Sequence, residues 1–154
     1  MTFRIRGLPR DRFAHLFGLD ASALAEAGAE RHIITSSESA PCRVTLDDAA
    51  PGEAVLLLSY EHQPAGTPYR QAGPIFLREA PGAAFDAKGC VPPALARRML
   101  SVRCYDGAGA MIEADLVQGE DLPALIARFW ANPDVSYAHA HYARRGCFAA
   151  EILR

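Results

Sequence analysis

The run Ser136-Tyr-Ala-His-Ala-His-Tyr-Ala-Arg-Arg-Gly-Cys-Phe148 brings two histidines, three tyrosine or phenylalanine rings, two arginines and a cysteine into thirteen positions. His139 and His141 stand two apart. On a strand, side chains alternate between faces, so both imidazoles point the same way, about 7 Å apart at the backbone. A pair of this kind can hold a metal, shuttle a proton or bind an anion.

A metal site needs more ligands than the pair. His62, Cys42 or Cys147 can supply them, and three N or S ligands plus water make a catalytic zinc-type centre. His-x-His alone is a weak signal, because strand histidines are commonly half-buried with hydrogen-bonded rings. The cupin arrangement adds a glutamate shortly after the pair. Here the next carboxylate is Glu151, ten residues on and out of register for that pattern. The histidine-triad arrangement fits only in part, since Ala143 stands where a third alternating histidine would be. The residues leave the metal and any other cofactor unassigned.

Nucleophilic chemistry has a leading candidate in Cys147. Cys147 follows Gly146 and two arginines, and a nearby cation lowers a thiol pKa. His139 or His141 could act as its base. Cys42 beside Arg43 follows similar logic, although a strand cysteine more commonly just packs. The reading that needs the fewest coincidences is anion binding. Arg43, Arg103, Tyr60, Tyr105, His139 and His141 all fall on expected strands, and Arg103 and Tyr105 share one face. Arginine offers a fork of donors to a carboxylate or phosphate, and tyrosine adds a hydroxyl. A small anionic molecule is therefore the leading expected ligand. The plain alternative is a solvated sheet face with ion pairs to Asp47, Glu61 or Glu113. A rival of another class is a structural or interaction domain whose aromatic and arginine residues form a homodimer surface, with Trp130 and Arg103 as candidates.

The elements that must position these residues follow from patterning. A short strand is expected at Thr2–Arg6 and a helix at Arg10–Phe17. A second helix starts on Asp20, a good N-cap, and runs to Gly28. Residues 31–41 read as loop, and Cys42–Leu46 as a strand. Ala54–His62 is the strongest strand, apolar on both faces at Val55–Leu58, with Tyr60 and His62 sharing a face at its polar end. Gly73–Arg78 begins another strand, and Ala80–Gly89 reads as surface loop. Pro92–Met99 is a helix opened by proline. Leu100–Tyr105 and Ala110–Val117 flank the turn residues 106–109 as a hairpin. Asp121–Trp130 carries an apolar stripe of Leu122, Leu125, Ile126 and Phe129. Val135–Tyr142 and Cys147–Leu153 close the chain as a strand pair. No βα unit recurs at regular spacing, which argues against a doubly wound parallel sheet. The expectation is one α+β domain over 1–154, a mainly antiparallel sheet with a few short helices packed on it.

Composition narrows the partners. The chain has 154 residues, enough for one domain with a core. With 16 basic and 18 acidic residues and a net charge of −2, it offers no electrostatic footprint for nucleic acid. Neither an apolar leader core nor a run long enough to span a bilayer is present, so a cytoplasmic location without membrane contact is expected. The four cysteines (Cys42, Cys90, Cys104, Cys147) contain no Cys-x-x-Cys pair, which disfavours zinc-ribbon and thioredoxin-like chemistry and favours free thiols.

Several phrases, taken in order, form a larger pattern. They are Pro41-Cys-Arg-Val-Thr-Leu-Asp-Asp-Ala49, Leu58-Ser-Tyr-Glu-His62, Pro68-Tyr69 with Gly73-Pro-Ile-Phe76, Arg98-Met-Leu-Ser-Val-Arg-Cys-Tyr105, and His139-Ala-His141 with Gly146-Cys-Phe148. Together they resemble the bacterial family known as domain of unknown function 1203. The resemblance spans nearly the whole chain. It implies a single-domain bacterial protein of this length and no particular activity. The family pattern carries Asn after the second histidine, where this chain has Tyr142.

Overall fold

The computed structural model describes residues 2–154. The chain runs β1 (Arg4–Arg6), a 3-10 turn (Arg10–Phe13), α1 (Ala21–Glu26), β2 (Ala29–Ile33), β3 (Ala54–Gln63), β4 (Gln71–Arg78), β5 (Asp86–Lys88) and α2 (Pro93–Ala96). It continues through β6 (Met99–Tyr105), β7 (Met111–Gln118), a second 3-10 turn (Gly119–Asp121), α3 (Leu122–Phe129), β8 (Tyr137–Tyr142) and β9 (Phe148–Leu153). The α+β class with antiparallel pairing is as expected. The strands divide into two sheets, a six-stranded one ordered β5-β1-β9-β8-β6-β7 and a three-stranded one ordered β2-β3-β4. No helix among the described residues is long and apolar enough to cross a membrane.

Each face of the large sheet follows from strand alternation. Leu100, Val102 and Cys104 on β6 and Ala138, Ala140 and Tyr142 on β8 point to one side and are buried. The apolar stripe of α3 (Leu122, Leu125, Ile126, Phe129) and then Trp130 cover that side. Full burial of each large apolar side chain there contributes roughly 1.5–3 kcal/mol, counted as an upper bound. Trp130 is thus a core residue, with the Arg154 guanidinium 5.0 Å from its ring centre.

The other side carries Ser101, Arg103, His139, His141, Phe148 and Glu151, and the small sheet meets it there. A second apolar cluster joins Phe148 of β9 to Leu56, Ile75 and Leu77 of the small sheet and to Phe13, Leu16 and Leu24 near the N-terminus.

Four local expectations change. Residues 31–41 do not begin as loop: Ala29–Ile33 pairs antiparallel with Ala54–Leu58. Its polar residues Glu30, Arg31 and His32 run consecutively and so give no alternation, with Glu30 and His32 exposed and Arg31 half-buried against Glu79. Cys42–Leu46 is a turn rather than a strand, with single bridges Pro41↔Asp48 and Cys42↔Phe76 and Leu46 at φ 52°. Arg10–Phe17 forms only a 3-10 turn, which Pro9 precedes in extended conformation. Within Ala80–Gly89, residues Asp86–Lys88 pair with β1 as an edge strand. By contrast α1 starts where its cap predicts, with Asp20 accepting from the Ala23 amide at 2.8 Å.

Gly7, just after β1, fixes how the N-terminal segment lies on the turn that follows Pro41. A Cβ on it would sit 2.0 Å from the Val44 carbonyl oxygen, so no other residue fits without displacing backbone. The adjoining amides are committed to the same packing: Gly7 N–H donates to Phe85 O at 2.8 Å and Leu8 N–H to Arg43 O at 2.7 Å. This packing sets Leu8, Pro9 and Arg12 along one wall of the cavity described next.

Candidate metal centre

Two bulges aim the site. On β3 the pairing with β4 slips between Glu61 and Gln63, leaving His62 as the extra residue, and both His62 and Gln63 turn inward and are buried. On β9 the pairing with β8 slips at Ala149, so Phe148 rather than Ala149 stands opposite His141. Bulges re-aim side chains in this way and recur beside functional sites.

His62 arrives from the small sheet and His139 and His141 from the large one. Their ring centres are 4.9 Å (His62–His141), 5.8 Å (His62–His139) and 6.3 Å (His139–His141) apart. One ligand nitrogen from each ring lies within 4.8 Å of the other two, and all three residues are buried. Tetrahedral zinc with Zn–N bonds of ~2.0–2.1 Å holds its nitrogens ~3.3 Å apart, so small ring rotations would bring these three to a metal. Phe148 closes the apolar side: its ring stacks on His62 at 5.1 Å and 5° and meets His139 and His141 edge-on.

The hydrogen bonds fix one tautomer. His141 Nδ1 lies 3.0 Å from the Gly146 carbonyl, which can only accept, so Nδ1 carries the proton and Nε2 keeps a lone pair. Gly146 presents that carbonyl from a backbone at φ 77°, a conformation glycine adopts without steric cost. Each ring buries one nitrogen without a partner: His62 Nδ1, His139 Nδ1 and His141 Nε2. Thr45, Trp130 and Tyr142 also bury one unpartnered polar atom each, but these are hydroxyl and indole groups, and an indole N–H has no lone pair to offer a cation.

The imidazoles are neutral over the ordinary pH range. Burial is the main cause in all three. It lowers His62 to about 4, helped by the Arg103 charge. It lowers His139 to about 3, with His62, His141 and Arg103 adding to the effect. His141 falls to about 4 although its bond to Gly146 pulls the other way. Such groups are weak bases at pH 7 but are already in the protonation state a metal requires.

The other residues singled out by the sequence distribute as follows. Arg103 stands directly opposite His139 on β6 and donates to Gln71 Oε1 at 3.1 Å. Tyr105 is buried, stacks on Tyr137 at 5.2 Å and lies 5.0 Å from the His139 ring; burial raises its hydroxyl pKa. Tyr60 lines a cavity of about 290 Å³ that opens beside His62 and His139.

Arg43 does not face that cavity. It is 2% exposed, its Nε donates to the Phe148 carbonyl at 2.6 Å, its Nη1 donates to the Pro41 carbonyl, and its guanidinium stacks 4.9 Å from the Tyr142 ring. Two of its donors are committed to backbone carbonyls, so it buttresses the strand that carries Phe148 and does not line the cavity beside the histidines. Tyr142 itself lies in the α3-side core, where burial lifts its hydroxyl to about 12.

Cys147 borders a second cavity of about 200 Å³ with His62, Gln71 and Arg145. Its sulfur reaches only the Arg145 carbonyl, at 3.8 Å, and among the described residues no imidazole hydrogen-bonds it, so the nucleophile–base pair is not assembled. All four cysteines are free. Cys42 accepts from the Val44 and Arg78 amides, and Cys104 is buried, its thiol pushed up to about 12 mainly by burial.

Glu151 joins the site in spite of its spacing. Ten positions separate Glu151 from His141 along the chain, but the hairpin returns it to a place directly opposite His139. It lines the cavity with His62 and His139. Across the sheet the row reads Arg103–His139–Glu151–Arg6.

The family model described as "Protein of unknown function (DUF1203)" matches residues 39–154. The chain belongs to this family. Neither a curated protein nor a solved structure matches it. The DUF1203 match contains His62, His139, His141, Phe148 and Glu151, whereas Arg6 and Arg12 precede it.

Proposed function

We propose that this DUF1203 chain binds a divalent transition metal, zinc in the first instance, through His62, His139 and His141. The observation that carries the reading is the three unpartnered buried nitrogens, one on each of three clustered rings. A buried polar atom left unpaired costs on the order of 1–3 kcal/mol, and proteins rarely gather three. A single water could satisfy all three only if one ring turned an N–H toward it. A cation takes all three lone pairs at once, with His62 and His139 protonated on Nε2 and His141 on Nδ1.

Three features support the reading. Depressed pKa values keep the ligands neutral, the Gly146 carbonyl orients His141 as outer partners orient metal-bound imidazoles, and imidazole suits zinc, copper, iron or nickel. Among the described residues the ligand cluster contains three histidines, and His62 and His139 also line the adjacent cavity. That combination leaves coordination positions open, as in catalytic rather than structural zinc sites. A metal held there would polarise a bound oxygen or lower the pKa of a bound water.

The test is calorimetric titration of chelator-treated protein with zinc, beside His62→Ala, His139→Ala and His141→Ala. One equivalent bound by the parent, and weakened at least about 100-fold by each substitution, is the expected result. Equal zinc binding by the parent and all three variants would refute it.

A further inference from the structure

The cavity beside the histidines carries charge that the fold does not use. Arg12 lies on its wall and donates only to the Tyr60 hydroxyl; among the described residues it has no carboxylate partner. Arg6 approaches Asp86 at 3.9 Å, but that carboxylate is already gripped by two donors of Arg4. Two guanidinium groups thus border about 290 Å³ with unspent hydrogen-bonding capacity. Leu8, Pro9 and Phe148 supply apolar wall. Glu151 is the one carboxylate in the lining, and among the described residues no side chain hydrogen-bonds or ion-pairs with it. It sits between Arg6 and His139 in the row across the sheet.

We propose that this cavity binds a small carboxylic or phosphoric acid that also carries a hydroxyl or amine, with its anionic end on Arg12 and Arg6 and its donor end on Glu151. The metal reading is extended by this step: the ligand so oriented lies against His62 and His139, and therefore beside the open side of a metal on the three histidines. The charge pattern sets the orientation. Arginine forks pair with oxyanions by charge-assisted bonds, while Glu151 repels a second anion and accepts from a donor. The volume limits the ligand to the small end of the range for protein pockets. Both arginines lie ahead of the part matched by the family model, so the anion end of the site comes from this chain's N-terminal segment.

The experiment follows backbone and imidazole NMR shifts on titrating four probes, acetate, glycolate, glycine and inorganic phosphate, into metal-free and zinc-loaded protein. Saturable shifts around the cavity are expected, with glycolate tighter than acetate. Arg12→Gln weakens acetate and phosphate by about tenfold or more, as loss of a charge-assisted bond implies. Glu151→Gln tightens acetate and phosphate by removing a like charge, and Glu151→Leu, which removes the acceptor too, erases the glycolate preference. Phosphate tighter than acetate in the parent assigns a phosphorylated ligand, and the reverse order a carboxylate.

Absence of saturable shifts with every probe, or equal affinities in the parent and Arg12→Gln, would overturn the proposal. Arg6→Gln serves as a second charge variant should Arg12→Gln not fold. The two readings fail separately. Arginine-dependent anion binding without any zinc uptake sinks only the metal centre, whereas zinc uptake without arginine-dependent anion binding sinks only the anion site.

Discussion

Strand β8 shows two regimes of burial within six residues. Ala138, Ala140 and Tyr142 point into a core closed by α3 and Trp130, where almost every group is apolar. His139 and His141, one residue away in each case, point into a region where they too are buried, but which borders a cavity and is filled with imidazole, aromatic rings and an arginine's field. The first side gains from every methylene it removes from water. The second gives up hydration of three nitrogens and gains no internal partner for them. Arg43 makes the contrast sharper. It is as buried as the histidines, yet its Nε and Nη1 reach carbonyls at Phe148 and Pro41. Burial of a polar group is therefore not what marks the site; burial without a partner is.

The contrast can be broken at either face. The largest effect belongs to the apolar side: Phe129→Ala should cost roughly 3–5 kcal/mol in urea unfolding, with the zinc affinity of the folded fraction unchanged. A cost near zero would mean that α3 does not seal a core. Next is the metal side. Zinc at about a thousand times its dissociation constant should add about 4 kcal/mol to the stability of the parent. His62→Leu should abolish that gain, yet in chelator it should leave stability nearly unchanged or improved, because it replaces an orphaned polar ring with an apolar one.

The third effect is pH dependence without metal. The three histidines have folded pKa values of about 4, 3 and 4 against 6.5 for the free side chain. Below pH 6.5 the unfolded chain takes up protons that the folded chain refuses. Stability therefore falls as pH drops from 6.5 toward 4, by up to about 1.4 kcal/mol per pH unit for each histidine. His139→Leu should make that fall shallower by about one such increment in denaturation curves across the window; an unchanged slope would mean that His139 is not buried neutral. The smallest effect is at Arg103, whose charge pushes all three imidazoles down. Arg103→Gln should raise their NMR titration midpoints slightly and tighten zinc by a few-fold. Weaker zinc binding in that variant would show that Arg103 orients the ligands rather than opposing their charge.

Much of this was legible from residue order. Alternation in Leu100–Tyr105 and Tyr137–Tyr142 correctly separates the α3 face from the polar face, because a strand with one sealed side cannot slip register by one residue. Alternation along Ala54–His62 also puts Tyr60 and His62 together at the polar end of the strongest strand, and His62 is a natural further ligand for the His139–His141 pair. Register between distant strands was not legible. Glu151 looked out of place because a separation of ten residues means nothing until the hairpin and its bulge at Ala149 set which residues face each other. Arg43 looked like a ligand-binding arginine because its type and a strand-like neighbourhood suggested an exposed face; the turn around Leu46 instead drives it inward onto two carbonyls. Arg12 carried no motif at all. Its place on the cavity wall depends on how Gly7 lets the N-terminal segment press against Val44, a contact between backbones that side-chain patterning does not encode.

The most direct test of the metal centre is an anomalous difference map, recorded at the zinc edge, from crystals grown with one equivalent of zinc. The expected result is one strong peak about 2.0–2.1 Å from a nitrogen of each of His62, His139 and His141. Peaks confined to surface carboxylates or to Cys90, with the three imidazoles ordered and no density between them, would contradict the account.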